Sequence, residues 1–241
     1  MKGIYQKLTN LSLAGIAIAG SLLTASQAAL ALTQQQILEK LDDIPVFLIV
    51  NEDGQSLTAS VDTEESELQV PIVFINPIEA QAFIQDAESE QAEFADSAQI
   101  AVLPLSDVYA EASSQLENGN ALVYVPSAES ISQAAEIIDR EIQGVPLYAA
   151  VDLERDQYLL TGEDTLPMFF SLTDLQAQLA ALVESNPEVE GDIGVEVTTF
   201  EGVLQNMTSD NPEVNEFMER IQFVPASQIL RSLQAPADSA E

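Results

Sequence analysis

The chain has 241 residues, 46% of them apolar, so it can bury a core and is not a disordered acidic tail. Forty Asp and Glu stand against seven Lys and Arg, a net charge of −33 that repels nucleic acid phosphates and anionic lipid headgroups. The absence of His, Cys and Trp excludes Ser-His-Asp and Cys-His catalysis, and zinc or copper sites built on imidazole or thiolate.

Residues 1–31 read as a secretory signal peptide. Lys2 and Lys7 precede the apolar run "LSLAGIAIAGSLL" (11–23), which is too short to span a bilayer comfortably. Ala29-Leu30-Ala31 fits a small-x-small cleavage site, and Ser26-Gln27-Ala28 is a second one. The expectation is an exported chain that starts near Leu32 or Ala29 and keeps no integral membrane segment after cleavage; a retained anchor is the alternative. Losing Lys2 and Lys7 leaves five cations against the same forty acids, a net charge of −35. Such a chain has no disulfide and must be held by its core alone.

The elements then follow in order. "ILEKLDDIP" (37–45) predicts a helix that leads into "IPVFLIVNEDGQSLTASV" (44–61), a hairpin turning at Glu52-Asp53-Gly54. "VPIVFI" (70–75) is a third strand, and an amphipathic helix with a core-packing role follows at about 77–95. In "IAVLPLSDV" (100–108), apolar residues step by two at Ile100 and Val102, then by three at Leu105 and Val108. That beat is a strand running into a helix. It recurs at Val123, Val125, Ala128 and Ile131, at Val195, Val197, Phe200 and Val203, and at Ile221, Phe223, Ala226 and Ile229. Pro104, Pro126 and Pro225 suit the first turn of those helices, where no amide donor is needed.

The second half repeats the first. "IDREIQGVP" (138–146) matches the opening helix, and "VPLYAAVDLERDQYLLTG" (145–162) matches the hairpin, turning near Glu154–Asp156. "LPMFFS" (166–171) matches the third strand and precedes a helix at about 173–185. Pro45 and Pro146 are 101 apart, Pro71 and Pro167 are 96, Ile100 and Val195 are 95, and Val123 and Ile221 are 98. This order and spacing predict an α+β fold of two similar halves, 32–142 and 143–235, with a tail at 236–241. An internal duplication around a shared core, with pseudo-twofold symmetry, accounts for it.

The segments "QQILEKLDDIPVFLIVNEDG", "VPLYAAVDLERDQYLLTGEDTLPMFFSLTDLQAQL" and "IQFVPASQILRSL" resemble the Tic twenty-two family. Its members are the intermembrane-space subunit of the chloroplast inner-envelope import translocon and their cyanobacterial relatives. The resemblance covers residues 35–235 and rests on apolar and proline patterns without a catalytic signature. It implies a two-halved α+β fold and a chaperone-like role for unfolded precursors or outer-membrane proteins in transit. For cyanobacterial members it implies the periplasm or thylakoid lumen and, as a partner, the outer-membrane barrel insertase. The N-terminus lacks the Arg-rich character of a chloroplast transit peptide, which points to a bacterial member.

Chemical motifs are sparse. Asp152, Glu154, Asp156 and Glu163 occupy places one, three, five and twelve of a calcium loop, but Gln157 holds place six, where the sharp turn requires glycine. An acidic hairpin tip is the better reading. "TEESE" (63–67) and "DAESE" (86–90) are solvated charge runs. No glycine-rich phosphate loop is present, and no cofactor or metal is expected. A carboxylate-based secreted hydrolase is the alternative function, but its sugar cleft would lack the usual Trp platforms. The continuous apolar strands allow two readings. Either helices cover both faces of each sheet, or a shallow pocket near Phe47, Phe74, Tyr148, Met168 and Phe170 holds an extended client segment. The sequence reading is thus an exported, non-enzymatic chaperone-like translocation factor.

Overall fold

The computed structural model describes residues 31–62, 67–115, 122–162 and 164–234. The predicted signal peptide, apart from Ala31, lies outside the described residues, as do Glu163 and the 236–241 tail.

Helix α1 (Gln34–Leu41) opens on a capping box, in which Thr33 and Gln36 satisfy each other's backbone N–H groups. Strands β1 (Pro45–Val50), β2 (Thr58–Asp62) and β3 (Glu67–Phe74) follow, then α2 (Pro77–Ser89), started by the Asn76 cap with Pro77 behind it. Strand β4 (Gln99–Pro104) runs straight into α3 (Leu105–Gln115), and β5 (Val123–Val125) precedes α4 (Ala128–Ile138). The second half contains β6 (Pro146–Asp152), β7 (Gln157–Tyr158), β8 (Leu166–Phe169) and α5 (Leu172–Ser185). It closes with β9 (Ile193–Thr199), α6 (Phe200–Met207), α7 (Pro212–Arg220), β10 (Ile221–Val224) and α8 (Ser227–Gln234).

The fold is mixed α+β with two sheets in which four strands share an order and a sense of pairing, while the fifth differs: β2 pairs with β3, but β7 pairs with β6. In the first, β1 pairs antiparallel with β4 on one edge and β3 on the other, and β3 pairs parallel with β5. In the second, β6 pairs antiparallel with β9 and β8, and β8 pairs parallel with β10. The strand-to-helix joints match as well. Leu105 N–H donates to Ile44 O at 2.8 Å, and Phe200 N–H donates to Val145 O at 2.8 Å.

Five local expectations change. Residues 139–145, matched by sequence to the opening helix, form none, because α4 ends at Ile138 and Asp139 takes a left-handed backbone. After the turn at Gly54, β2 leaves β1 and pairs with β3, so the first hairpin is only a bridge between Val50 and Ser56. The helix expected to reach residue 95 ends at Ser89, because Gln91 takes a left-handed backbone and Ala92 N–H turns back to Ala87 O. Pro126 and Pro225 stand two residues ahead of their helices, and Pro104 ends a strand, so the prolines close strands rather than open helices. Helix α7 was not expected, although Asn211-Pro212 is a start signal and Val214, Phe217 and Met218 share a helical face.

The largest apolar cluster draws on both sheets. Val46, Leu48 and Val73 of the first join Leu147, Ala149, Met168 and Phe223 of the second, with α1, α3 and α6 around them. The outer faces are covered by an exchange of helices. On the first sheet, Phe47, Ile49 and Phe74 lie under Ala80 and Ile84 of α2 and meet Ile229 of α8. On the second, Tyr148, Ala150 and Phe169 lie under Leu172 and Leu175 of α5 and Ala134 of α4. Each half thus sends its last helix onto the sheet of the other half.

Candidate client-binding surface

The five side chains expected to line a pocket are all buried, with relative exposures of 7% or less. Phe47 and Phe74 are cross-strand partners beneath α2. Tyr148 pairs with Phe169 on the outer face of the second sheet, and its hydroxyl donates to Ser130 O of α4 at 2.8 Å. Met168 and Phe170 point the opposite way, into the shared core, where the Phe170 ring lies 5.3 Å from Phe200 and 6.1 Å from Phe223. The structure therefore brings these residues together in three core clusters and not in one open pocket. The reason is that both faces of each sheet are covered, so Met168, Phe169 and Phe170 all find cover despite standing in a row.

The open apolar surface lies elsewhere, where α2 runs beside β4. Helix α2 buries Ala80, Ile84 and Ala87 at helical spacing. Ile78 and Phe83 stand off that stripe, 64% and 39% exposed. A groove of about 410 Å³ runs between Pro77, Ile78, Gln81, Ala82 and Gln85 on the helix and Ile100 on the strand, with no charged side chain in its lining. Next to it, on the same face of β4 as Ile100, Val102 is 45% exposed. Phe83 is not part of the groove; it makes an edge contact with Phe74, at 5.7 Å between ring centres, and a tilted contact with Phe94 at 6.3 Å. Sequence reasoning assigned this helix to core packing. The signal that it missed is the apolar Ile78, out of phase with Ala80, Ile84 and Ala87.

Residues 12–234 match the model of the Tic22-like family. The chain belongs to that family. It is 25% identical over 221 residues to "Protein TIC 22, chloroplastic" of Pisum sativum, covering 88% of this chain and 81% of the relative. Among solved structures it is similar to Anabaena Tic22, described as a protein of protein transport, with a TM-score of 0.67, 23% identity and coverage of 84% of this chain and 97% of that one. It is also similar to Tic22 from Plasmodium falciparum, with a TM-score of 0.59, 20% identity and coverage of 85% and 99%. No helix among the described residues of this Tic22-like chain is long and apolar enough to cross a membrane.

A second concavity of the Tic22-like fold, about 800 Å³, lies between α1, α7 and β10 and is polar in character. Lys40 Nζ donates to Glu219 O and Ile221 O, both at 2.8 Å, so it covers carbonyls where α7 passes into β10. Burial pulls its pKa below that of a free lysine, and the Glu219 carboxylate pushes it part of the way back. Arg220 bridges Asp164 at 3.1 Å and Glu216 at 3.0 Å. Two of the chain's few cations are thus committed to backbone and to ion pairs, which is a structural use. The acidic tip at Asp152 is also self-contained. Asp152 Oδ1 accepts from the N–H groups of Glu154 and Arg155, and these bonds hold its pKa below the usual carboxylate range.

Proposed function

We propose that this chain is an exported, non-catalytic transport factor that holds unfolded precursors or outer-membrane proteins in transit and passes them to the outer-membrane insertion machinery. Its compartment in this reading is the periplasm or thylakoid lumen of a cyanobacterium, reached through cleavage of the leader at residues 1–31. Membership of the Tic22-like family supports the transport part, as does the protein-transport description of the Anabaena relative. The observation that carries the client part is the uncharged groove between α2 and β4 on an otherwise acidic protein. Apolar burial supplies affinity there, at about 25 cal/mol per Å², while the acids keep the open surface soluble. Of the residues first expected to meet a client, Phe47 and Phe74 pack beneath α2, behind that surface, while Tyr148, Met168 and Phe170 lie in the other two core clusters; all five would meet a client only if the packing opened. The matching order of the two sheets supports an internal duplication as the origin of the fold.

The test is dilution of a urea-unfolded outer-membrane barrel protein into buffer with the leaderless chain. Suppressed light scattering at equimolar chain is the expected result. Unchanged scattering at large excess overturns the reading. Turnover on a panel of glycans and esters would favour the hydrolase alternative, for which neither the family nor the cleft chemistry offers support.

A further inference from the structure

Strand β4 ends its sheet: it pairs with β1 and, among the described residues, with no other strand. The direction of its backbone groups follows from the register. Leu105 N–H donates to Ile44 O, so the bonded positions continue at Val46–Leu103 and Leu48–Ala101. Phe47–Val102 and Ile49–Ile100 are the alternate positions, which exchange no bonds. The N–H and C=O groups of Ile100 and Val102 therefore point away from β1, off the edge of the sheet. Phe47 obeys the same rule, since its outward groups meet Phe74 of β3.

Edge strands are ordinarily blunted by charge, proline, a bulge or a cover. The β10 side of the second sheet has Lys40 on its carbonyls. Strand β9, which matches β4, carries the exposed carboxylate of Glu196 in mid-strand. Strand β4 reads "QIAVLP", with no charge, and only Pro104 at its end lacks a donor. It exposes Val102 on one face and Leu103 on the other, and the apolar groove of α2 lies beside Ile100.

We propose that β4 is a docking edge, to which an extended segment of a client polypeptide adds as a further strand. This deepens the transport-factor reading and rests on it. Main-chain bonds to Ile100 and Val102 give sequence-independent affinity, and alternate client side chains enter the groove at Ile78 and Ala82. The occupant is an alternating apolar segment with basic flanks. The groove itself is uncharged, but α2 continues into Asp86, Glu88 and Glu90, and the whole chain carries −33. That field attracts cationic flanks and repels a second copy of the chain. Alternating segments of about ten residues are also the units of a transmembrane barrel, so an unfolded barrel protein offers many such occupants.

The probe is a fluorescein-labelled peptide, KVTVTVTVK, titrated with the leaderless chain and followed by anisotropy. Two further peptides carry N-methyl groups on alternate residues, sparing one edge, or on every residue, blocking both. The parent and the one-edge peptide are expected to bind within a few-fold of each other, and the fully methylated peptide about tenfold or more weaker. Val102→Pro removes an outward donor and spares the β1 ladder, so it is expected to weaken the parent peptide by a similar factor. Val61→Thr, exposed on β2, serves as the control that leaves binding unchanged. Equal binding of the fully methylated peptide overturns the edge proposal, and this arm uses the wild-type chain, so it holds even where Val102→Pro fails to fold. Sedimentation showing dimers that Val102→Pro dissolves and the peptide does not compete for would assign the edge to a second copy, and overturn it too. If the wild type still suppresses barrel aggregation in those cases, only the edge proposal falls. If it neither binds peptide nor suppresses aggregation, the transport-factor reading falls with it.

Discussion

Asp174, in the first turn of α5, grips Ser227 at the start of α8. Its Oδ2 accepts the Ser227 N–H at 2.7 Å, and its Oδ1 accepts the Ser227 hydroxyl at 2.6 Å. The first half has the same device, in which Glu79 of α2 accepts the Ala128 N–H at 2.9 Å at the start of α4. Each carboxylate sits at the positive end of the helix that it anchors. Each anchored helix then covers the sheet of the other half. Asp174 therefore decides where α8, with Ile229, meets the outer face of the first sheet.

Asp174→Ala is expected to release α8 while the rest of the fold stays. Hydrogen bonds to a charged group are worth about 1.5–3 kcal/mol. Hydrogen exchange should show residues 227–234 opening faster, with a smaller change in β6. Unaltered protection of 227–234 would mean that Ile229 alone holds the helix.

Gly144 joins the halves with φ +101, a backbone that L side chains rarely adopt, and an added Cβ would lie 2.5 Å from Glu201 Oε2. Gly144→Ala is thus strained twice, at about 1–3 kcal/mol. The urea midpoint should fall with an unchanged slope, which marks a loss of stability and not of compactness.

Glu201 gives a pH signature. Burial raises its pKa above 4.5, opposed by backbone N–H donors, one of them from Val145 at 2.9 Å. The nearby Tyr124 hydroxyl is itself pushed up, by burial and then by Tyr109 and Glu201. A raised carboxyl pKa means that the folded state binds the proton more tightly than the unfolded chain. Stability from this group is therefore lost as pH rises from 4.5 through the raised value. Glu201→Gln keeps an acceptor for Val145 and removes the titration. Wild-type stability relative to the variant should decline with pH in that window and be flat above it; a flat difference throughout would show that Glu201 does not titrate abnormally.

Surface and core substitutions should separate client binding from folding. Ile78 is 64% exposed, so Ile78→Ser is expected to stay within about 0.5 kcal/mol of wild type in stability. It should nevertheless weaken suppression of barrel aggregation. Phe170→Ser buries a hydroxyl among Phe200 and Phe223 and leaves a cavity, and is expected to cost about 3–5 kcal/mol. A thermal melt alongside the aggregation assay reads both. Full activity of folded Ile78→Ser would move the binding surface away from α2.

The sequence alone determined whatever depends on neighbours along the chain. The strand-to-helix beats at 100–108 and 195–203 became β4–α3 and β9–α6, and the structure adds side-chain caps at Asn76, Ser127 and Ser171. Periodicity and capping act within one turn of helix or a few residues of strand, so they are legible locally. Composition likewise excluded imidazole and thiolate chemistry before any fold was known. Only the tertiary structure decided which residues of the last strands correspond. By sequence, Val123 and Ile221 align, but Val123 faces Ile72 in β3 while Ile221 faces Leu166 in β8. Counted from the cross-strand pairs Phe47–Phe74 and Tyr148–Phe169, Val125 matches Val224 and Tyr124 matches Phe223. That shift of a single residue exchanges the two faces of a strand; β5 reads Val-Tyr-Val, apolar on both faces, so it offers no alternation to set against the exposed Gln222 of β10. The destinations of α4 and α8 were equally hidden. An amphipathic stripe states that a helix must be covered but not by which sheet, and the choice fell to Glu79 and Asp174, carboxylates that read in the sequence as two acids among forty.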